Sequence, residues 1–549
     1  MTKNVADAIV GTLVSLGVKR IYGIPGDSLN PIMNAIRENR NVEFVQTRHE
    51  EGAALEAAFE AKITHMPAVC MGTSGPGSIH LLNGLYEAKM DHVPVIALTG
   101  QIETELLGTD YFQEVNLNAL MEDVSVYNQQ IRSADSAVEI TKRAFESSIA
   151  LGGVSHINMP VDILMQRCDV DEYPAAYSPV SRKYNPDLTH ARDLIDHSNA
   201  PLLFIGNGCR GYGDAVLRLA ERIGSPVIYA LNGKGIVDDN DPKVMGSIGL
   251  LGTKPSVEAM HNADLLIFLG TIFPYTSFLK NGIPAIQVDI NPANLGKRYP
   301  VTCKIESSVI DFLEAIEPAE KPEKYYLSFA DSKKKWISEM EKRESDMGNP
   351  IKPEAVAAAV CKKISAGTVI VADTGNVTVW SARNMRVPRD TTFLISPWLG
   401  TMGAGIPGSI GASFATGKPV IAMVGDGSFA MSMMELITAR KYNRNIKVVV
   451  FNNSKLGMIK FEEMIMGFPE FGVDLLNPDF SKIAEATGIG GFRVVRREDL
   501  DPTVEKFMAH EGPAVLDVVV DPDEKPMPPK LNFRQVKGFI TSILRQELT

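Results

Sequence analysis

With 549 residues, 45% of them apolar and 22% charged, the chain has the length of about three globular domains and the balance of an ordinary folded protein. Its net charge of −11 opposes the phosphate backbone of nucleic acids, which argues against a nucleic-acid binder as the overall class and leaves room only for a local basic patch. Five widely spaced cysteines form no CxxC pair, so neither a disulfide framework nor a zinc site is expected. No apolar run reaches the roughly 18 residues needed to span a bilayer, and the N-terminus, with Asp7 inside its apolar pattern, has no cleavage signal; a reducing cytoplasm is the expected location.

In chain order, Val5, Ile9, Leu13 and Leu16 predict a helix that Gly17 ends. A strand over 20–23 and the turn Pro25-Gly26-Asp27-Ser28 then open the first βα unit. A strand over 42–46 leads through Arg48-His49-Glu50-Glu51 into an alanine-rich helix over 52–62, and local pattern alone makes both glutamates favourable charges at a helix start. A strand over 67–71 runs into Gly72-Thr73-Ser74-Gly75-Pro76-Gly77, a loop of backbone donors or a tight turn, followed by a helix carrying His80. Strands over 93–100 and 154–159 bracket a loop containing Tyr111, Phe112, Gln113 and Glu114. Four prolines within 173–186 mark a linker.

Beyond the linker, a strand over 201–205, the GxGxxG run Gly206-Asn207-Gly208-Cys209-Arg210-Gly211 and a helix over 215–223 have the order of a dinucleotide site. The next strand, over 226–230, ends in Leu231-Asn232 where an acid would hold a ribose, so a plain NAD site is not expected; Asp289, at the end of a later strand over 285–289, is the available acid. Residues 314–352 are charged and helix-prone, and a third domain opens at Pro353 with a strand over 369–372 that ends in Asp373-Thr374-Gly375-Asn376.

The apolar strand 419–424 ends in Gly425-Asp426-Gly427. Phe429, Met433, Leu436, Ile437 and Arg440 recur at helical spacing from a start at Ser428, and a second strand over 446–451 ends in Asn452-Asn453. Asp-Gly is also a hairpin signal, but a helical pattern follows it where a hairpin needs a strand. Asp426 and Asn453 each lie just past a strand end, where α/β sheets bind ligands, and offer oxygen donors to a hard cation; magnesium with a diphosphate fits, and so does a nucleotide.

The 24 residues from 428 to 451 between Gly-Asp-Gly and Asn-Asn resemble the thiamine diphosphate motif of the thiamine-dependent decarboxylases and oxidases, and the pyruvate oxidase branch matches along nearly the whole chain. The resemblance implies Asp426, Asn453 and the Lys455 carbonyl as magnesium ligands. It implies Gly375, Asn376, Gly400, Thr401, Met402, Gly427, Ser428, Ser454, Leu456, Gly457 and Met458 around the thiamine cofactor, with Met402 as the apolar wedge. Glu50, placed in a largely apolar pocket, would activate the aminopyrimidine. Phe112, Gln113 and Glu462 would control the intermediate, while Asp27, Ser28, His80 and Ile459 would face pyruvate. FAD would take Gly206, Gly208, Ile248, Gly249, Leu250, Leu251, Thr271, Phe273, Pro274, Tyr275 and Asp289.

The implied fold is α/β, with three doubly wound parallel-sheet domains: 1–172 for the pyrimidine, 187–318 for FAD and 353–525 for the diphosphate, followed by an amphipathic segment over 526–549. The implied reaction is oxidative decarboxylation of pyruvate, with electrons passing through FAD to a quinone, oxygen or another acceptor. In this branch Glu50 of one subunit meets the diphosphate site of another, so a homo-oligomer, a tetramer, is expected, with membrane association at most peripheral. Acetolactate synthase and a flavin-binding electron carrier are the alternatives.

Overall fold

The computed structural model describes residues 3–169, 177, 182–526, 541–542 and 545. The expected linker over 173–186 falls partly, and the amphipathic segment over 526–549 almost wholly, outside them.

Among the described residues there are three six-stranded sheets, all parallel. The first runs, in spatial order, Glu43–Gln46, Arg20–Gly23, Ala68–Gly72, Val95–Gln101, Val154–Pro160 and Ser125–Gln130. The third runs Thr392–Leu394, Val369–Ala372, Val420–Gly425, Ile446–Asn452, Ala514–Val519 and Gly490–Val494. Numbered within each domain, both have the order 2-1-3-4-6-5, so two domains share one topology. The middle sheet, from Cys303–Glu306 to Val244–Ser247, has the order 6-5-4-1-2-3 of a dinucleotide-binding fold. The strands are near-continuous apolar runs because helices cover both faces, as parallel sheets require.

Three departures from the sequence reading have local causes. Ser125–Gln130 (SVYNQQ) is an edge strand too polar and too irregular in exposure to read as one. Val420–Gly425 and Ile446–Asn452 pair in parallel, which removes the hairpin reading of Asp426-Gly427. The helix after Gly425 begins at Asp426, not Ser428, and breaks after seven residues into a 3-10 turn, Met433–Glu435, before resuming at Leu436–Lys441. The break turns Glu435 inward, where its Oε1 accepts the backbone N–H groups of Arg48 and His49 at 2.9 and 3.1 Å.

The first and third domains share a single core. Its seam is helix Glu50–Thr64 against helix Gly405–Thr416, and the glycines of the second allow the approach: a Cβ on Gly408 would lie 2.7 Å from the Phe59 ring, and one on Gly411 would lie 2.1 Å from the Glu56 carbonyl oxygen. Helix propensity alone favours Gly411→Ala by about 1 kcal/mol. Overpacking against backbone costs about 1–3 kcal/mol or more, so the variant is expected to lose stability on balance. A urea midpoint at or above that of the wild type would contradict this packing.

Glu354, in the first turn of helix Pro353–Cys361, is 2% exposed, and its Oε2 has no hydrogen-bond partner among the described residues. Burial first, and then the charge of Glu524, raises its carboxyl to about 7 from 4.5. A raised acid withdraws stability as pH climbs from its unfolded value through its folded one, a cost on the order of 3 kcal/mol at pH 8. Glu354→Gln is therefore expected to raise the melting temperature at pH 8 and leave it nearly unchanged at pH 4.5. An equal shift at both values would show that charge burial is not the cause.

Candidate active site

A cavity of about 740 Å³ runs from the carboxyl end of the third sheet to that of the middle sheet. At its first end it is lined by Thr374, Gly375, Asn376, Gly400, Met402, Gly425, Asp426, Gly427, Ser428, Asn453, Lys455, Leu456, Gly457, Met458, Ile459 and Glu462. The segments after four neighbouring strands supply them.

Asp426, 2% exposed, organises this end. Its Oδ1 accepts Gly427 N–H at 2.9 Å, while its Oδ2 accepts Ser454 N–H at 2.6 Å and the Asn477 amide at 2.7 Å. Burial pushes its carboxyl up to about 6, although these neutral donors oppose the rise. Nearby, Asn453 Oδ1 accepts Lys455 N–H at 3.1 Å, and a Cβ on Gly457 would lie 2.5 Å from the Asn376 side chain, so glycine is needed for the close approach. Thr374 Oγ1 and Asn376 Oδ1 are buried on the wall with no hydrogen-bond partner among the described residues. A buried carboxylate held only by neutral donors, an adjacent amide oxygen and two orphaned polar atoms fit a hard cation and a diphosphate. The seven-residue helix from Asp426 offers a smaller dipole than the uninterrupted helix read from the sequence.

The other end is lined by Asn207, Arg210, Ser247, Ile248, Gly249, Leu250, Leu251, Thr271, Phe273, Pro274, Tyr275, Asp289 and Asn294. Arg383, 8% exposed, shapes this wall by donating to the carbonyls of Leu250, Leu251 and Gly252 at 2.7 to 3.3 Å. Arg210 donates to the Asn232 carbonyl at 2.9 Å, and burial lowers its guanidinium to about 10. Asp289 accepts Asn291 N–H at 2.8 Å and the Asn294 amide at 3.2 Å at the end of strand Ala285–Asp289. A half-buried guanidinium for phosphate, an acid for a ribose and an aromatic-apolar strip are the donor set a flavin dinucleotide needs. Lys62, His65, Asp91 and His92 of the first domain close this end. Lys62 is held by Glu87, Asp91 and the Ile395 carbonyl, and Ser396 on the opposite side also bonds Glu87.

A second cluster gathers at the carboxyl ends of the first sheet. Glu50, 7% exposed, has its Oε2 3.0 Å from His80 Nδ1, and a Cβ on Gly77 would lie 3.0 Å from its Oε1. An imidazole and the backbone at Gly77 are thus among its neighbours. Ser28 Oγ meets Thr73 Oγ1 at 2.8 Å and accepts Ser74 N–H at 3.0 Å, while Ser28 N–H is already donated to Asp27 Oδ1 at 2.8 Å. Gln113, at φ +61, receives the Ser74 hydroxyl at 3.3 Å, and Phe112 beside it is 73% exposed. Among the described residues that line the cavity, Asp27, Ser28, Glu50, His80, Phe112 and Gln113 are absent.

Comparison with known proteins gives three matched regions. Residues 3–120 match the N-terminal TPP binding domain of thiamine pyrophosphate enzymes, 188–316 their central domain and 373–518 their C-terminal TPP binding domain. The protein YdaP of Bacillus subtilis is 38% identical over 553 residues, covering 99% of this chain and 96% of YdaP. Pyruvate oxidase of Lactiplantibacillus plantarum is 32% identical over 538 residues (95% and 89% of the two chains). Acetolactate synthase of Mycobacterium bovis is 31% identical over 551 residues, again 95% and 89%.

The chain belongs to the thiamine pyrophosphate enzyme family.

Thiamine pyrophosphate is the thiamine diphosphate of the sequence motif, and both of its binding domains are present in this family member. Most residues singled out around the diphosphate and the flavin line one wall or the other; four do not. A Cβ on Gly206 or on Gly208 would lie 2.5 or 2.8 Å from Gly270, so these glycines serve loop packing, and their neighbours Asn207 and Arg210 face the cavity instead. Thr401 turns to the first domain, where Asn83 donates to its hydroxyl at 2.9 Å, and Ser454 contributes its backbone N–H to Asp426. Asn477, Thr374, Arg210 and Arg383 were not singled out: Asn477 and Arg383 lie outside the spaced motifs, while Thr374 and Arg210 stand at the variable positions of theirs. Among the described residues no helix is long and apolar enough to cross a membrane.

Proposed function

We propose that this family member oxidatively decarboxylates pyruvate to acetate or acetyl phosphate and CO2 with thiamine pyrophosphate, Mg2+ and FAD, passing electrons through the flavin to a quinone, oxygen or another acceptor. The observation that carries this reading is the continuity of the cavity: the Asp426 end and the Asp289 end share one space, so electrons leaving one cofactor have a flavin in the same compartment. In this reading the pyrimidine-binding, FAD-binding and diphosphate-binding domains span 1–172, 187–318 and 353–525, with a C-terminal segment over 526–549.

The chain's own residues have defined tasks. Asp426, Asn453 and the Lys455 carbonyl hold Mg2+, and the backbone around Gly375, Asn376, Gly427 and Ser428 receives the diphosphate. Thiamine pyrophosphate supplies the electron sink for loss of the carboxylate. Glu50 holds and returns a proton at its carboxylate, and its contact with His80 fixes the orientation from which it does so. The backbone corner at Asp27 and Ser28, whose Ser28 N–H must leave the Asp27 carboxylate to take part, receives the substrate carboxylate. Met402 supports a bent cofactor, and Phe112, Gln113, Ile459 and Glu462 govern what reaches the reacting carbon.

Glu50, His80, Asp27 and Ser28 do not line the cavity, and in this reading a complete site takes Glu50 from a second copy of the chain. Phe112 on the first domain, and Met431, Ile459 and Phe471 around the diphosphate half, are 73%, 64%, 47% and 84% exposed, apolar surface of the kind that contact would cover. A homotetramer in the cytoplasm is the assembly this reading expects.

Acetolactate synthases of near-equal identity support a second reading, condensation of two 2-oxo acids beside a non-redox flavin. Product analysis separates the two. With pyruvate and an electron acceptor, acetate or acetyl phosphate is expected in step with acceptor reduction. Acetolactate as the main product would replace the oxidase reading, and failure to bind thiamine pyrophosphate with Mg2+ would leave a flavin electron carrier.

A further inference from the structure

Away from the Asp426 half, three side chains form the kind of donor set that a softer cation takes. His80 Nδ1 lies 3.0 Å from Glu50 Oε2, the His49 and His80 rings stand 4.4 Å apart at 30°, and one donor atom from each of the three residues lies within 4.8 Å of the others. We propose that His49, Glu50 and His80 form a binding site for a divalent transition metal of the Zn2+ class, with solvent as the fourth ligand, in the protein free of thiamine cofactor.

The chemistry separates this site from the Asp426 centre. Two imidazoles and one carboxylate are the ligands of zinc-class cations, whereas magnesium prefers oxygen alone. The fold already places the three groups. His49 is the N-cap of helix Glu50–Thr64, Glu50 begins that helix, and His80 ends helix Pro76–His80. Bonds of about 2.0–2.1 Å in a tetrahedron put neighbouring donors about 3.4 Å apart, so the Glu50–His80 pair needs only a small expansion. The exposed His49 ring closes the wider gaps by rotation. Its Nδ1 accepts Glu51 N–H at 3.2 Å, and ligation through Nε2 requires the other tautomer and the loss of that cap, a cost of about 1 kcal/mol. Zinc sites release far more than this on binding.

The site stands on these three residues alone. Its consequence rests on the function proposed above: a metal that holds Glu50 keeps it from the aminopyrimidine, so the metal and the thiamine cofactor exclude each other.

The test uses the full-length chain stripped of cofactors, with saturating Mg2+ to hold the Asp426 centre and Co2+ as the probe. One equivalent of Co2+ per chain should give the intense visible bands of four-coordinate cobalt with nitrogen ligands, and Zn2+ should bleach them. His49→Ser keeps an oxygen for the helix cap and removes an imidazole. It should abolish the bands and weaken Zn2+ binding by more than about tenfold, the scale that even outer-shell changes reach, with an unchanged unfolding midpoint. Absence of the bands in the wild type, or bands that persist in both His49→Ser and His80→Asn, overturns the site. Thiamine pyrophosphate should displace the cobalt. If it fails to while the bands still depend on His49, the metal site holds and the role given to Glu50 falls.

Discussion

Replacing Glu50 with glutamine is expected to abolish flavin reduction by pyruvate while leaving fold and flavin content intact. The carboxylate is 7% exposed and its Oε2 sits 3.0 Å from His80 Nδ1. Glutamine is close to isosteric and keeps a polar atom against the imidazole, so the loop carrying His80 has no reason to move. What is lost is the group that takes up and returns a proton, and a positioned acid–base group is worth about 10²- to 10⁴-fold in rate. Anaerobic flavin bleaching by pyruvate should therefore slow by that factor at an unchanged unfolding midpoint. A wild-type bleaching rate would remove Glu50 from the chemistry.

Co-expression of Glu50→Gln with Asp426→Asn is expected to restore activity that neither variant has alone. Asp426 lines the cavity and Glu50 does not, and in the assembly proposed above each complete site draws on two copies. In a mixed dimer one site carries both defects and the other carries neither. Random pairing then gives about one quarter of wild-type activity, since half of the dimers are mixed and each has one working site. The two variants differ in charge and tag, so mixed assemblies can be purified before assay. Purified mixed assemblies with no activity would mean that Glu50 and Asp426 serve the same site within one chain.

Much of this architecture was legible because its parts obey local rules. The strands 20–23, 201–205, 285–289 and 369–372 were read with correct boundaries, since apolar runs bounded by glycine and proline leave little choice. Asp426 and Asn453 stood out because strand ends fix where a ligand sits. Contacts between distant segments were not legible. Nothing in the helical spacing marks Glu435, yet it caps the peptide that carries Glu50 across 387 positions of sequence. The break that frees it, at Met433, has no proline or glycine to announce it. Gly206 and Gly208 were read as cofactor glycines, but their lack of a Cβ serves the approach of Gly270. The covering of the Asp289 end of the cavity by Lys62, His65 and His92 depends on how two domains meet, which no periodicity within one of them encodes.

The most direct test of the oxidase reading is anaerobic stopped-flow absorbance of the bound FAD after mixing holoenzyme with pyruvate, with and without phosphate. The flavin should bleach on the timescale of turnover, and reoxidation by an added quinone or oxygen should complete the cycle. A flavin that stays oxidised while acetolactate accumulates would contradict this account and make the cavity that of a synthase.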